Sequence, residues 1–224
     1  MEIHLERKVL EANDKLAARN RAGFQQKGLF VVNLMSSPGA GKTTLLERTA
    51  LMVGGELNLA VIEGDIQTTF DADRIASQGV EAVQINTRGA CHLEADSVWE
   101  AAQSLDLERT DLLFIENVGN LVCPAEFDLG EEAKATILST PEGEDKPFKY
   151  PLMFRLSEAL IINKIDLLPN LPFDLAKARA EVKRIRPDIR IFELAALSGE
   201  GMGGWLEWLK AGVAKTRAKA QGRG

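Results

Sequence analysis

From Leu29 to Met35 the chain is apolar apart from Asn33. It then turns small and polar through Ser36-Ser37-Pro38-Gly39-Ala40-Gly41, and a helical pattern opens at Lys42-Thr43-Thr44-Leu45-Leu46. Further short β-rich runs occur at Leu57–Ile62, Ala82–Ile85, Asp111–Ile115, Ala135–Ser139, Ala159–Ile162 and Asp188–Phe192, with helical stretches between them. Counting Leu29–Leu34 as the first, this alternation predicts an α/β fold: a mostly parallel seven-stranded sheet with helices on both faces. In such sheets the ligand lies at the carboxyl ends of the strands, so each functional motif should follow a strand. Before the first strand, Ile3 to about Gln26 reads as a polar helix whose thin apolar stripe is Ile3, Leu5, Val9, Leu10, Leu16 and Ala17, packed on the rim of the domain. At the other end, Trp205 to about Lys219 reads as a closing helix with Trp205, Leu206, Trp208, Leu209 and Val213 inward, followed by a solvated basic tail of Lys215, Arg217, Lys219 and Arg223. The predicted division is a helical segment over 1–27 and a nucleotide-binding domain over 28–224, a single domain overall.

Composition narrows the class. The 224 residues suffice for one sizeable core without disulfides. The net charge of -6, from 33 acidic against 27 basic residues, argues against a general nucleic-acid binder. No apolar stretch approaches membrane-spanning length, and Met1–Arg7 is too charged for a signal peptide. Two cysteines do not make a disulfide scaffold, and a reducing, cytoplasmic setting is expected.

The segment from Ser36 to Thr44 has the chemistry of a phosphate cradle. Backbone N–H groups of Ser37, Gly39, Ala40, Gly41 and Thr44 can turn toward a triphosphate, and the helix N-terminus adds partial positive charge. Lys42 would reach the β- and γ-phosphates, and the Thr43 hydroxyl would ligate Mg²⁺. Ser36 replaces the usual first glycine of this P-loop pattern. After the Ala159–Ile162 run comes Asn163-Lys164-Ile165-Asp166. The Asp166 carboxylate can accept both the ring N–H and the exocyclic amine of guanine, a donor pair that adenine lacks, which makes the nucleotide GTP. Asn163 would hold the base and its neighbouring loop, and the Lys164 stem would cover the ring. The loop from Leu194 to Gly201 could present backbone amides of Ala196 and Leu197 to the guanine oxygen, although Ala195 stands where that pattern has serine.

Acidic groups complete the phosphate end. Glu116 ends a strand beside the P-loop and can hold Mg²⁺ through water, while Gly119 can offer its amide to the γ-phosphate. Asp65, in Glu63-Gly64-Asp65, could face the γ-phosphate, hold Mg²⁺ or orient the attacking water, with Glu63 as support. The competing reading makes Asp65 the N-cap of a helix beginning near Thr68. No residue stands out as a water-positioning glutamine; Gln67 is merely nearby.

Cys91-His92 follows the Ala82–Ile85 run, and Cys123 lies four residues beyond Gly119. Both fall on the nucleotide edge. Two thiolates and an imidazole form a borderline-soft set suited to Zn²⁺ or Ni²⁺, with a coordination position left for water or a second copy. Inert cysteines, a Cys91–Cys123 disulfide and His92 as a helix cap are the alternatives. His4, on the first helix, has no evident partner.

Taken together, SSPGAGKTTLLE, EGD, TRGACHLEA, ENVGNLVCPAEFDLGE, NKID and TPEGEDKPFKYP (Thr140–Pro151) closely resemble the hydrogenase nickel-incorporation GTPase family, over about Phe30 to Gly201. The resemblance implies a P-loop NTPase of the signal-recognition-particle/MinD-like class that hydrolyses GTP and dimerises with it. It also implies a Ni²⁺ or Zn²⁺ site at Cys91, His92 and Cys123 near the dimer interface. Nickel would pass to the hydrogenase large-subunit precursor with the help of a zinc-containing nickel-chaperone partner. The chain shows no cysteine-rich N-terminal motif or histidine-rich run, so N-terminal nickel capture or nickel storage is not expected. A urease-type nickel GTPase is the nearest alternative, but that group separates its cysteine and histidine by proline. A P-loop small-molecule kinase and a metal-binding GTP switch with negligible turnover are the others.

Overall fold

The computed structural model describes residues 3–65 and 78–222. The segment containing Gln67 and Thr68, the tail residue Arg223, and the side chains of His4 and Asp65 lie outside that description. In chain order the elements are α1 (Ile3–Gln26), β1 (Phe30–Ser36), α2 (Lys42–Val53), β2 (Leu59–Asp65), β3 (Glu81–Asn86), α3 (Ala95–Ala102), β4 (Leu112–Glu116) and α4 (Cys123–Glu126). There follow β5 (Ala133–Ser139), α5 (Lys146–Lys149), α6 (Pro151–Leu156), β6 (Ala159–Asn163), α7 (Leu175–Ile185), β7 (Arg190–Leu194) and α8 (Met202–Gln221). Short 3₁₀ segments occupy Thr140–Glu142 and Ile165–Asn170.

The seven strands form one sheet in the order β3-β2-β4-β1-β5-β6-β7, and every pairing is parallel. The P-loop therefore leaves the central strand, with switch residues after β4 on one side and the guanine motif after β6 on the other. β1 is buried throughout, whereas the edge strand β3 is half-exposed. That contrast is why β1 reads as a continuous apolar run and β3 does not.

Side-chain alternation divides the core. Phe30, Val32 and Leu34 of β1 and Leu112 and Phe114 of β4 pack with Leu45 of α2 and Trp205 and Leu209 of α8. Val31, Leu113 and Ile115 point the other way, into a cluster with Phe24 of α1 and Val98 of α3. A third cluster sets Met35, Leu138 and Ile162 against Phe154 of α6 and Val182 of α7.

Both terminal helices correct the sequence reading. α1 spans the expected residues, but its inward face is Asn13, Ala17, Asn20 and Phe24, while Val9 of the expected stripe is 45% exposed. Spacings of four, three and four keep these residues on one side of a helix. α8 begins at Met202, before Trp205, and its tail is tied down: Arg217 pairs with Asp111, and Lys219 with Glu132 at 2.7 Å. Among the described residues no helix is long and apolar enough to cross a membrane.

Candidate nucleotide and metal sites

The loop from Ser36 to Gly41 turns on two glycines with positive φ, Gly39 (+74°) and Gly41 (+101°). Gly41 is also sterically fixed, since a Cβ there would lie 2.5 Å from Asn163 Nδ2. Ser36 ends a strand and needs no positive φ, so serine is tolerated where glycine is usual. Its hydroxyl donates to the Ser37 carbonyl (2.7 Å) and accepts from Lys42 Nζ (3.2 Å), which holds the lysine over the loop. Ser37 Oγ, on the P-loop, is buried without a hydrogen-bond partner among the described residues.

The Mg²⁺ candidates Thr43 and Glu116 are brought together, Thr43 Oγ1 donating to Glu116 Oε1 at 3.1 Å. Glu63 sits one strand over in register with Glu116, and both are buried. Asp65 is the last residue of β2, at the same sheet edge. Gly119 lies against the P-loop, where an added Cβ would meet Pro38 backbone and ring atoms at 3.0 Å.

Across the loop, Asn163 is 2% exposed and joins three segments. Its amide donates to the Ala40 carbonyl (2.9 Å), while its oxygen accepts from Lys164 N (2.8 Å) and Ala196 N (3.1 Å). Lys164 takes a left-handed conformation (φ +63°), and its Nζ reaches the Gly39 carbonyl at 2.7 Å. Asp166 is exposed at the start of the following turn. In this arrangement the Ala196 N–H is already committed to Asn163, and Leu197 is 76% exposed. Two contributors escape the sequence reading. Arg48 of α2 donates to the carbonyls of Ala196 (3.1 Å) and Leu197, and the Thr140 hydroxyl holds the Lys164 carbonyl at 2.7 Å. Arg48 lies outside every motif quoted, and Thr140 opens the TPEGEDKPFKYP motif with no role assigned to it there.

On the other half of the same edge, the ligand atoms of Cys91, His92 and Cys123 all lie within 4.8 Å of one another. Both cysteines are free thiols, with Cys91 Sγ 3.4 Å from His92 Nδ1. The imidazole stacks on Phe127 (centroids 3.7 Å, planes 25° apart), and its Nε2 is 3.8 Å from Glu94 Oε1. Burial lowers the His92 pKa against the opposing pull of Glu94 and Glu126, which favours the neutral, ligating ring. The Cys123 thiol is pushed up by its hydrogen bond with Cys91, then by burial and by the charge of Cys91. A cation bound at this cluster would offset that cost at Cys123.

Behind these loops runs a buried polar chain. Asn117 Oδ1 accepts from Leu93 N (3.3 Å), next to His92, and its amide donates to Asn33 Oδ1 (3.2 Å). Asn33 in turn donates to Glu131 (3.2 Å), whose other oxygen accepts from Leu129 N (2.7 Å). Burial raises the Glu131 carboxyl pKa, with Lys134, 3.3 Å away, opposing. Lys134 Nζ also holds the carbonyls of Ala125 and Phe127, just past Cys123.

A sequence profile of the CobW/HypB/UreG nucleotide-binding domain matches residues 30–193, from β1 into β7 and so across both clusters. The chain belongs to the CobW/HypB/UreG family. Within it, the hydrogenase maturation factor HypB of Azotobacter chroococcum is 52% identical over 98% of this chain and 74% of its own length. The crystal structure of HypB from Helicobacter pylori in complex with nickel superposes with a TM-score of 0.88 at 39% identity, covering 92% of this chain and 97% of that one. The signal recognition particle receptor FtsY of Elizabethkingia anophelis, in complex with GDP, shares the fold alone: TM-score 0.56, 16% identity, 95% and 77% coverage. The CobW/HypB/UreG profile begins after α1 and ends before α8.

Proposed function

We propose that this chain is a GTP-hydrolysing metallochaperone that carries Ni²⁺ or Zn²⁺ on Cys91, His92 and Cys123 and assists nickel insertion into a [NiFe]-hydrogenase. The observation that carries this reading is the convergence of two sulfurs and an imidazole within 4.8 Å on loops beside the P-loop. HypB relatives, one of them solved with nickel, support it. The working state is a GTP-dependent homodimer, acting with a zinc-containing nickel chaperone on the hydrogenase large-subunit precursor.

Lys42 neutralises the β- and γ-phosphates, and backbone groups from Ser37 to Thr44 cradle them. Thr43, Glu116 and Asp65 would hold Mg²⁺, which supplies charge neutralisation at the γ-phosphate; the Thr43–Glu116 pair and the orphaned Ser37 hydroxyl suit it. Asp166 reads guanine, while Asn163 and Lys164 hold the loops around it. Gly119 packs on Pro38 and is four residues from Cys123, so a γ-phosphate contact that moves Gly119 also moves a metal ligand. Ordering of this segment with GTP changes the metal geometry, and hydrolysis releases the ion.

Titration with Ni²⁺ and Zn²⁺, in GDP and in a non-hydrolysable GTP analogue, tests this with light scattering for mass. The analogue is expected to change metal affinity and produce the dimer. Cys91→Ala or Cys123→Ala should lower metal affinity with GTP binding nearly intact, and Asp166→Ala should lose preference for guanine. Identical titrations in both nucleotide states would defeat the coupling.

A further inference from the structure

The two metal-bearing segments are not hydrogen-bonded through the sheet. Cys91 and His92 follow β3 and Cys123 follows β4, and β2 lies between those strands. Two strand spacings of roughly 4.8 Å each leave the ligand separation to whatever holds the loops. Asn120 donates to the Cys91 carbonyl (3.4 Å) and Asn117 accepts from Leu93 N (3.3 Å); further bridges come from α1, which lies outside the part of the chain matched by the family profile.

Asn13 and Asn20 stand seven residues apart on the inward face of α1, 5% and 1% exposed. Each is a two-ended bridge between the same two segments. Asn13 accepts from Ala95 N (2.9 Å) and donates to the Asp128 carbonyl (2.7 Å). Asn20 donates to the Ala95 carbonyl (2.6 Å) and to the Leu129 carbonyl (3.1 Å). Ala95 is the first residue of α3, three beyond His92, and the N-cap Glu94 makes no side-chain cap bond, so Asn13 satisfies the Ala95 N–H of this helix terminus from outside. Asp128 and Leu129 directly follow Phe127, the residue stacked on His92. Contact with this second segment is close: Gly130 takes φ +90°, and a Cβ there would fall 2.5 Å from Asn20 Cβ and 2.8 Å from the Ala17 carbonyl. Arg21 adds bonds of 2.6 and 2.7 Å to the Asp128 carboxylate. A helix docked only for packing would bury apolar side chains here, because buried amides destabilise unless their bonds are made.

Building on the proposed metal role of Cys91, His92 and Cys123, we infer that α1 is a clamp on that site, with Asn13 and Asn20 as positioning residues that fix the distance between its two ligand-bearing segments. Loss of the bridges lets the segments separate while leaving the nucleotide loops, held by Asn163 and Arg48, in place.

The test uses the full chain and its Asn13→Ala/Asn20→Ala variant, titrated with Ni²⁺ and Zn²⁺ while the thiolate-to-nickel charge-transfer absorption is followed. Affinity for both ions should fall about ten-fold or more, the range for groups that orient metal ligands. The nickel band should weaken or shift, and guanine nucleotide affinity should stay within about two-fold. Phe24→Leu is the packing control: it trims a buried α1 side chain that packs with Leu93, Leu129 and Trp99 but makes no side-chain hydrogen bond, and it should lower thermal stability without changing the nickel band. If Phe24→Leu alters metal affinity and spectrum as much as the asparagine variant does, α1 is merely structural and the clamp is wrong. Should the double variant not fold, the single Asn13→Ala change is read by the same criteria. Normal metal binding in the asparagine variants, with weakened binding in Cys91→Ala, defeats the clamp alone. Unweakened binding in Cys91→Ala and Cys123→Ala defeats the metal reading itself.

Discussion

The two halves of the carboxyl edge are held together in different ways. On the guanine side, β1, β5, β6 and β7 are consecutive neighbours, and the loops that leave them are tied directly to one another: Asn163 to Ala40 and Ala196, Lys164 to Gly39, Thr140 to Lys164. On the proposed metal side, the loops after β3 and β4 are separated by a strand; they meet through Asn117 to Leu93 and Asn120 to Cys91, and α1 bridges them from behind. A site pinned by adjacent parts is preorganised and changes little between states. A site assembled across a gap can be tuned by whatever moves its supports, which suits a cargo that must be both held and released.

The comparison is broken most forcefully at Gly41. Alanine there takes on a φ of +101° and a Cβ 2.5 Å from Asn163 Nδ2, so the P-loop and the guanine loop cannot keep their shared bond. Left-handed strain of roughly 1–2 kcal/mol and a buried bond lost at about 1–3 kcal/mol together predict a fall in GTP affinity of about 10²-fold or more. Calorimetric titration of Gly41→Ala with GTP should show it, while Zn²⁺ affinity in the absence of nucleotide stays near wild type. A parallel loss of metal affinity would mean that the two halves are not separately held.

How much of this was legible depended on whether a residue's chemistry agreed with its burial. The strand–loop–helix at Ser36–Lys42, the seven strands and the three metal candidates were readable because apolar runs and rare residue types announce themselves; strand ends were located to within two residues, except that β2 runs three residues past Ile62 and takes in Glu63, Gly64 and Asp65. Asn13 and Asn20 were not readable, since an asparagine on a helix looks like a solvent-facing residue and hydrophobic period assigns the inward face to Val9 and Leu10 instead. Arg48 and the basic tail were hidden for a related reason: exposed cations announce no partner until the fold brings carbonyls or carboxylates within reach. Polar contacts between segments distant in sequence are what patterning cannot see.

A smaller effect sharpens the metal half. Phe127→Ala removes the ring stacked at 3.7 Å on His92 but touches no nucleotide loop among its described contacts. Metal affinity should drop roughly ten-fold, as for other groups that orient a ligating imidazole, with GTP affinity unchanged. Isothermal titration with Zn²⁺ and with GTP on the same sample separates the two. A drop in both would show that the segment after Cys123 supports the triphosphate site as well.

The smallest effect is expected at Arg48, where the guanine half is reinforced by a single side chain from α2. Its guanidinium ties the carbonyls of Ala196 and Leu197 to the helix that carries Lys42 and Thr43. These bonds are partly exposed, so each contributes no more than about 0.5–1.5 kcal/mol, and Asn163 still holds the Ala196 amide. Arg48→Ala should therefore weaken GDP and GTP binding only about three-fold and leave the metal site untouched. Arg48→Lys should behave like alanine, because an ammonium cannot span two carbonyls with a planar fork. A loss approaching that of Gly41→Ala would show that the guanine loop depends on one long-range tie, and the preorganised half would then resemble the metal half in being held from a distance.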